Sequence, residues 1–133
     1  MKILKSFFIA VLAVMLFAAC QTTVKISEDL SPAELIQRAQ EASDRNRYNV
    51  ALQYYQALHE RNPTNLDLVI TAEYEIAFIH YKQKKYDQAR EELTAILKYY
   101  DTPDQELLPQ HFKRLAQIVL ERIDEKENSR KKL

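Results

Sequence analysis

His59, His80 and His111 are the three histidines of the 133-residue chain, and none has a second His or Cys three or four residues away. That spacing is what sets two ligands on one helical face, so no zinc or other metal site is expected. Acidic neighbours such as Glu91 and Glu92 stand in amphipathic sequence and read as a solvated helix face, not as an acid/base couple. The chain has no glycine, which removes the phosphate-cradling loop and the nucleophile elbow in their usual forms. No catalytic residue, no metal and no cofactor are therefore expected, and the chain reads as a non-enzyme. Nineteen basic and nineteen acidic residues balance, without the basic excess of a nucleic-acid binder. Arg130, Lys131 and Lys132 form the one basic cluster, and Asp124, Glu125 and Glu127 dilute it, as in a solvated helix end.

One side chain keeps a chemistry of its own: Cys20, the single cysteine. Lys2 and Lys5 precede thirteen uninterrupted apolar residues, 7–19, which end on Ala18 and Ala19. Such a helix spans ~20 Å against the ~30 Å hydrocarbon core, so residues 1–19 are expected to be a signal peptide and not a membrane span. Leu16-Phe17-Ala18-Ala19-Cys20 resembles the lipobox of bacterial lipoproteins, with Phe17 where that pattern usually has Leu. The resemblance implies a diacylglyceryl group on the Cys20 sulfur, cleavage in front of it, and a place in the bacterial cell envelope. Gln21 follows where an inner-membrane lipoprotein would carry Asp. In a diderm host this implies the periplasmic face of the outer membrane. A lone cysteine can form no disulfide within the molecule, so the fold must rest on packing. Residues 20–30 are expected to be the lipidated Cys and a spacer, reaching ~35 Å if fully extended. With the leader removed the chain is slightly acidic, so no attraction to anionic lipid is expected beyond the anchor.

The elements that follow are all helical by period, over a domain expected at 31–126. Ser31-Pro32-Ala33-Glu34 combines N-cap, Pro at N1 and a capping-box acid. The helix it opens should end near Asn46, which tolerates the left-handed conformation. A second helix, with Val50, Ala51, Tyr54, Tyr55 and Leu58 on its apolar face, runs to Pro63, and Thr64-x-x-Asp67 should cap the next. Residues 72–97 read as an antiparallel pair broken at 82–85, with Ala77 and Ala89 small enough to let the two axes approach closely. Thr102-Pro103-Asp104-Gln105 should start a fifth helix that Pro109 restarts or kinks. Beyond Ile123 the apolar period stops, so frayed turns and a charged tail at 127–133 are expected.

Shifting the chain by 38 residues lays Ala39 on Ala77, Tyr48 on Tyr86, Ala51 on Ala89, Tyr55 on Leu93 and Leu58 on Ile96. Leu35 falls on Glu73, the one mismatch, and a further shift of 39 lays Ala77 on Ala116. Fixed-period self-similarity marks a stacked array. Tyr48, Ala51, Tyr55 and Pro63, and again Tyr86 and Ala89, resemble the second-helix signature of the tetratricopeptide repeat. Ala39 and Ala77 stand where that repeat has its small residue, while Leu35 and Glu73 hold the signature Trp position. The resemblance implies an all-α solenoid of about five helices: two tetratricopeptide-like hairpins and a C-terminal capping helix. It also implies a protein-binding scaffold.

In that family the first helix of each repeat lines a concave groove, where the resemblance puts Thr71, Tyr74, Phe78, Tyr81 and Lys82. Two readings of the aromatic stripe remain open: a core face under the fifth helix, or a groove in which Tyr74, Phe78, Tyr81 and Lys82 anchor a partner. The leading expectation is a lipid-anchored scaffold that binds an envelope protein or a second copy of itself. The rival is a carrier sheltering a small apolar ligand, for example beside a transporter's solute-binding protein, which would require an enclosed apolar pocket.

Overall fold

The computed structural model describes residues 22–132. The expected signal peptide, Cys20 and Gln21 lie outside them. Among the described residues five α-helices follow one another: α1 Pro32–Asp44, α2 Tyr48–Arg61, α3 Leu66–Lys82, α4 Tyr86–Tyr99 and α5 Gln110–Lys131, with a 3-10 turn at Gln105–Leu107. α1 packs on α2, α2 on α3, α3 on α4, and α5 lies against both α3 and α4. This is the expected order of two hairpins and a closing helix.

The two hairpin turns are built alike. Asn46 and Lys84 both take positive φ, 57° and 62°. Behind them the Arg47 N–H donates to Ala42 O at 2.8 Å and the Lys85 N–H to His80 O at 3.0 Å. Asn46 N–H to Ser43 O and Lys84 N–H to Tyr81 O complete the pairs, both at 2.9 Å. These are Schellman closures, which satisfy the last helical carbonyls and normally use Gly at the left-handed residue. Asn46 suits that place. Lys84 carries a Cβ there at a cost of about 1–2 kcal/mol, offset by the packing on either side of the turn.

The start of α1 is as its sequence dictates. The Ser31 Oγ accepts from the Glu34 N–H at 3.3 Å, and the Glu34 carboxylate accepts from the Ser31 N–H at 2.9 Å. The Ser31 hydroxyl also donates to the Glu34 carboxylate at 2.7 Å, and that bond, with the one from the Ser31 N–H, holds the exposed Glu34 carboxyl below the usual carboxylate range. Two other starts differ from expectation. α3 is capped by Asn65, whose Oδ1 accepts from the Leu68 N–H at 3.2 Å, and not by Thr64. A turn from Asn62 O to Asn65 N–H at 3.1 Å carries the chain one residue further before the helix can begin. The fifth helix does not start at Thr102. That hydroxyl donates back to Tyr99 O at 2.8 Å and so closes α4. Leu108, extended because a proline follows it, then forces a fresh start at Gln110.

At the other end of α5 the helix continues to Lys131 instead of fraying from 127. Arg90 of α4 binds Asp124 at 2.7 Å and Glu127 at 2.9 Å, and Arg130 lies 5.2 Å from the centre of the Tyr86 ring. The apolar period ends where the sequence says, but charge pairing carries the helix two turns further.

The interior divides into two clusters. Leu35, Ala39, Ala51, Tyr55 and Leu58 join Ala72 and Ile79 of α3 in the first. Ile70, Tyr74, Ala77, Ala89, Leu93 and Ile96 join Phe112, Ala116, Val119 and Ile123 of α5 in the second. Residues related by the 38-residue shift are equally buried: Ala39 with Ala77, Ala51 with Ala89, Leu58 with Ile96. α3 contributes to both clusters and is the shared wall between them.

Residues 22–30 are not the free spacer the sequence suggests. The Val24 N–H donates to the Gln53 side-chain oxygen at 2.9 Å, Gln53 Nε2 donates to Thr22 O at 2.8 Å, and Arg61 donates to Ser27 O at 3.0 Å. Val24, Ile26 and Leu30 pack on the first cluster. Alternate apolar residues thus make a strap laid along α2, a period of two that is easily overlooked in nine residues.

Candidate functional site

Of the expected groove residues Tyr74 is core, while Thr71, Phe78, Tyr81 and Lys82 are half-buried. Tyr74 is 5% exposed, its ring 5.1 Å from that of Phe112 and 5.9 Å from that of Phe78. Phe78 stacks in turn on Tyr81 at 5.9 Å, and Tyr81 meets Tyr86 at 5.8 Å. The stripe is a ladder of rings at the geometry aromatic pairs prefer, and α5 covers its first rung. Thr71 turns its hydroxyl back to donate to Asp67 O at 2.6 Å. Lys82 donates to Ser43 Oγ at 2.8 Å and sits over the Phe78 and Tyr48 rings, at 5.2 and 5.6 Å. Tyr74 is therefore a core residue with no surface to offer a partner, and Lys82 is a clamp between α1 and α3.

Glu75 lies one helical step from Tyr74. Burial pushes its carboxyl above the ordinary 4.5, and the Lys82 ammonium offsets this in part. Burial also raises the Tyr74 phenol, to about 12, with the Glu75 charge adding to the effect. A carboxyl whose pKa is raised on folding opposes folding when ionised. Stability should therefore fall as pH rises from the unfolded value through the raised folded one. Glu75→Gln is accordingly expected to melt higher than wild type at pH 7 and to lose that advantage below about pH 4. Thermal melts of both proteins from pH 3.5 to 7.5 give the comparison, and a constant difference across the range would refute it.

A better-formed opening lies on the other side of α3. Gln56, His59 and Glu60 of α2, Glu73 and Ile76 of α3, and Glu92, Ala95 and Tyr99 of α4 line a cleft of about 350 Å³. His59 Nε2 lies 3.2 Å from Glu73 Oε1, and the Tyr99 hydroxyl donates to the same oxygen at 3.2 Å. Burial and the Glu73 charge together raise the Tyr99 phenol. Deeper in, buried His80 places Nδ1 2.7 Å from Glu92 Oε2, and Gln88 donates to Glu92 Oε1 at 3.1 Å. Two histidines with no partner in the sequence are thus each matched to a glutamate by the fold.

Glu73 is the signal that marks this cleft. Its counterpart in the first hairpin, Leu35, is 1% exposed and fills the space between helices. Where the repeat wants a large apolar residue, Glu73 instead ties α2 to α4 through its carboxylate and leaves room beside it. The mismatch stood in the 38-residue alignment, but only packing shows that His59 and Tyr99 converge on it. Among the described residues no group of three His, Cys, Asp or Glu is placed to hold a metal ion. No described helix is long and apolar enough to cross a membrane.

A family model described as tetratricopeptide repeat matches residues 42–108, the stretch from the first hairpin turn to the end of the 3-10 turn. The chain is a tetratricopeptide repeat protein. The repeats belong to a class of protein-interaction scaffolds, and the equal burial of Ala51 and Ala89 is the packing by which the two tetratricopeptide hairpins repeat each other. Over 117 residues, 86% of its length, this tetratricopeptide chain is 38% identical to an uncharacterised protein of Treponema pallidum (strain Nichols). It spans 47% of that relative's length. No solved structure matches the chain.

Proposed function

We propose that this tetratricopeptide repeat protein is a lipid-anchored scaffold of a bacterial envelope that holds another protein through the cleft between α2, α3 and α4, by receiving a basic side chain. The observation that carries the proposal is the make-up of the cleft. Glu60, Glu73 and Glu92 line the cleft together with apolar Ile76 and Ala95, a lining that suits the apolar stem and cationic head of Lys or Arg. Gln56, Glu60 and Ala95 are exposed, so the cleft opens to solvent at its rim. A carrier for a small apolar ligand needs an enclosed cavity; this cleft, although much of its lining is apolar, is open to solvent. The pattern of Lys2, Lys5, the apolar run and Cys20 supports the anchor and the envelope location.

Ala95→Arg tests the cleft without touching the core, because Ala95 is exposed on α4. The new guanidinium fills the cleft and occupies its carboxylates. Partner recovery from detergent-solubilised membranes is expected to fall at least about tenfold, a loss of ~1.4 kcal/mol of binding. Tyr81→Ala, on the aromatic ladder, should recover the partner as wild type does. Equal recovery by all three proteins would remove the cleft from the proposal. Cys20→Ala that remains processed and membrane-bound would remove the anchor.

A further inference from the structure

The balanced charge of the chain conceals a segregation that only the fold brings out. Antiparallel packing gathers the α1–α2 turn, the α3–α4 turn and the C terminus of α5 at one end of the molecule. The contacts of Lys82 with Ser43, Arg90 with Glu127 and Arg130 with Tyr86 tie these three segments together. Arg45, Arg47, Lys84, Lys85 and the basic run 130–132 are all exposed there. Segments 44–47, 84–87 and 129–132 hold seven basic residues against Asp44 and Asp87. Of the acids one turn further back, Asp124 and Glu127 are engaged by Arg90, and exposed Glu125 is matched in number by its neighbour Lys126. At the opposite end, segments 28–34, 60–67 and 101–106 hold eight carboxylates against Arg61 alone. Three helix C termini also meet at the basic end, and one cation for each would complement their dipoles. Seven exceed that need.

A second, independent observation points the same way. The strap runs beside α2 in the same direction, with Thr22 at Gln53 and Ser27 at Arg61. Its beginning therefore lies towards the basic end, where Thr22 shares a depression with Asn46, Arg47, Tyr48 and Gln83. Cys20 is two residues before Thr22, a reach of about 7 Å. That is within the ~8 Å over which a charged surface acts at physiological salt. The nine residues that look like a long spacer are held down along α2, which leaves almost no slack.

Taking Cys20 as the anchor proposed above, we propose that the basic end is a membrane-facing surface. On it the two hairpin turns and the end of α5 rest on anionic phospholipid headgroups, and the acidic end points away from the bilayer. The lipid holds the chain to the membrane, while the seven cations and the docked strap set which way up the domain stands. Each Lys or Arg near an anionic surface adds to such an orientation. The cleft then opens on the side of the domain, clear of the headgroups and accessible to a partner.

The full chain, purified from membranes in detergent and transferred to vesicles, provides the test. One set of vesicles is phosphatidylcholine, the other contains phosphatidylglycerol at about a third of the lipid. After flotation, lysines are labelled with a water-soluble acylating reagent and read by peptide mass spectrometry. Lys84, Lys85, Lys131 and Lys132 are expected to label at least about threefold less on anionic than on neutral vesicles, and raising the salt to about 0.5 M should restore them. Lys98 and Lys113, towards the acidic end, should label alike throughout. Flotation on both vesicles with uniform labelling overturns the surface and leaves the anchor standing. Loss of flotation on both overturns the anchor and the surface together. Protection that is equal on the two lipids and grows with protein density indicates the acidic end of a second copy, and overturns the lipid contact.

Discussion

Phe112→Ala is expected to destabilise the domain by about 3–5 kcal/mol and to release α5 before the hairpins open. Phe112 is 7% exposed and its ring covers Tyr74 at 5.1 Å. Ala116, Val119 and Ile123 continue the same face of α5 into the second cluster. In a stacked array each element is held chiefly by its neighbours, and α5 has α3 and α4 on one side only. Loss of its largest buried side chain therefore falls on the interface that closes the array. A domain of this size has about 5–15 kcal/mol in total, so the variant should be partly unfolded at 37 °C. Hydrogen exchange should show α5 amides opening first, with α1 and α2 protected almost as in wild type. Leu115→Ala is the control, since Leu115 is 37% exposed on the same helix and should change stability by less than about 0.5 kcal/mol. Uniform loss of protection across all five helices, or a cost equal to that of the control, would show that α5 is not an independent closing element.

Ala51→Leu and Ala89→Leu should each cost about 1–3 kcal/mol, and by similar amounts. Both residues are 0% exposed, each in the cluster that its own hairpin helps to build. A Leu there has no free volume and must push two backbones apart. For a domain of roughly 100 residues each kcal/mol lowers Tm by about 4–8 °C, so thermal melts resolve the effect. Matched losses follow from equivalent crossings in the two hairpins. A protein that tolerates one substitution and not the other would mean that the 38-residue similarity does not extend to the packing. Because the two sites lie in separate clusters, the losses should add in the double variant within about 0.5 kcal/mol.

The helices and their repeat were readable because helix formation is written locally. Ser31 and Glu34 close their capping box over four residues, and Asn46 sits at the left-handed position that its small amide side chain suits. The alanines at 39, 51, 77 and 89 are placed by period alone. The boundaries that were missed, Asn65 for Thr64 and Gln110 for Thr102, turned on which of two local hydrogen bonds a capping residue makes. Thr102 spends its hydroxyl on Tyr99 O, and nothing in the four-residue pattern says so. Lys84 at positive φ was hidden because the turn demands the conformation and not the residue.

The candidate site was less readable, for a different physical reason. His59, Glu73 and Tyr99 are spread over 41 positions, and His80 and Glu92 stand on different helices; they meet only when α2, α3 and α4 stack. Likewise the sequence holds equal charge of both signs, and only antiparallel packing sorts seven cations to one end and eight carboxylates to the other. By itself the sequence determined an all-helical repeat, preceded by an apolar run that ends at Cys20, because caps, period and apolar runs act over a few residues. Tertiary structure alone decided that Tyr74 of the aromatic stripe is interior, that the strap is docked, and where a cleft and a basic end lie. Those depend on distances between helices, which no short stretch of chain encodes.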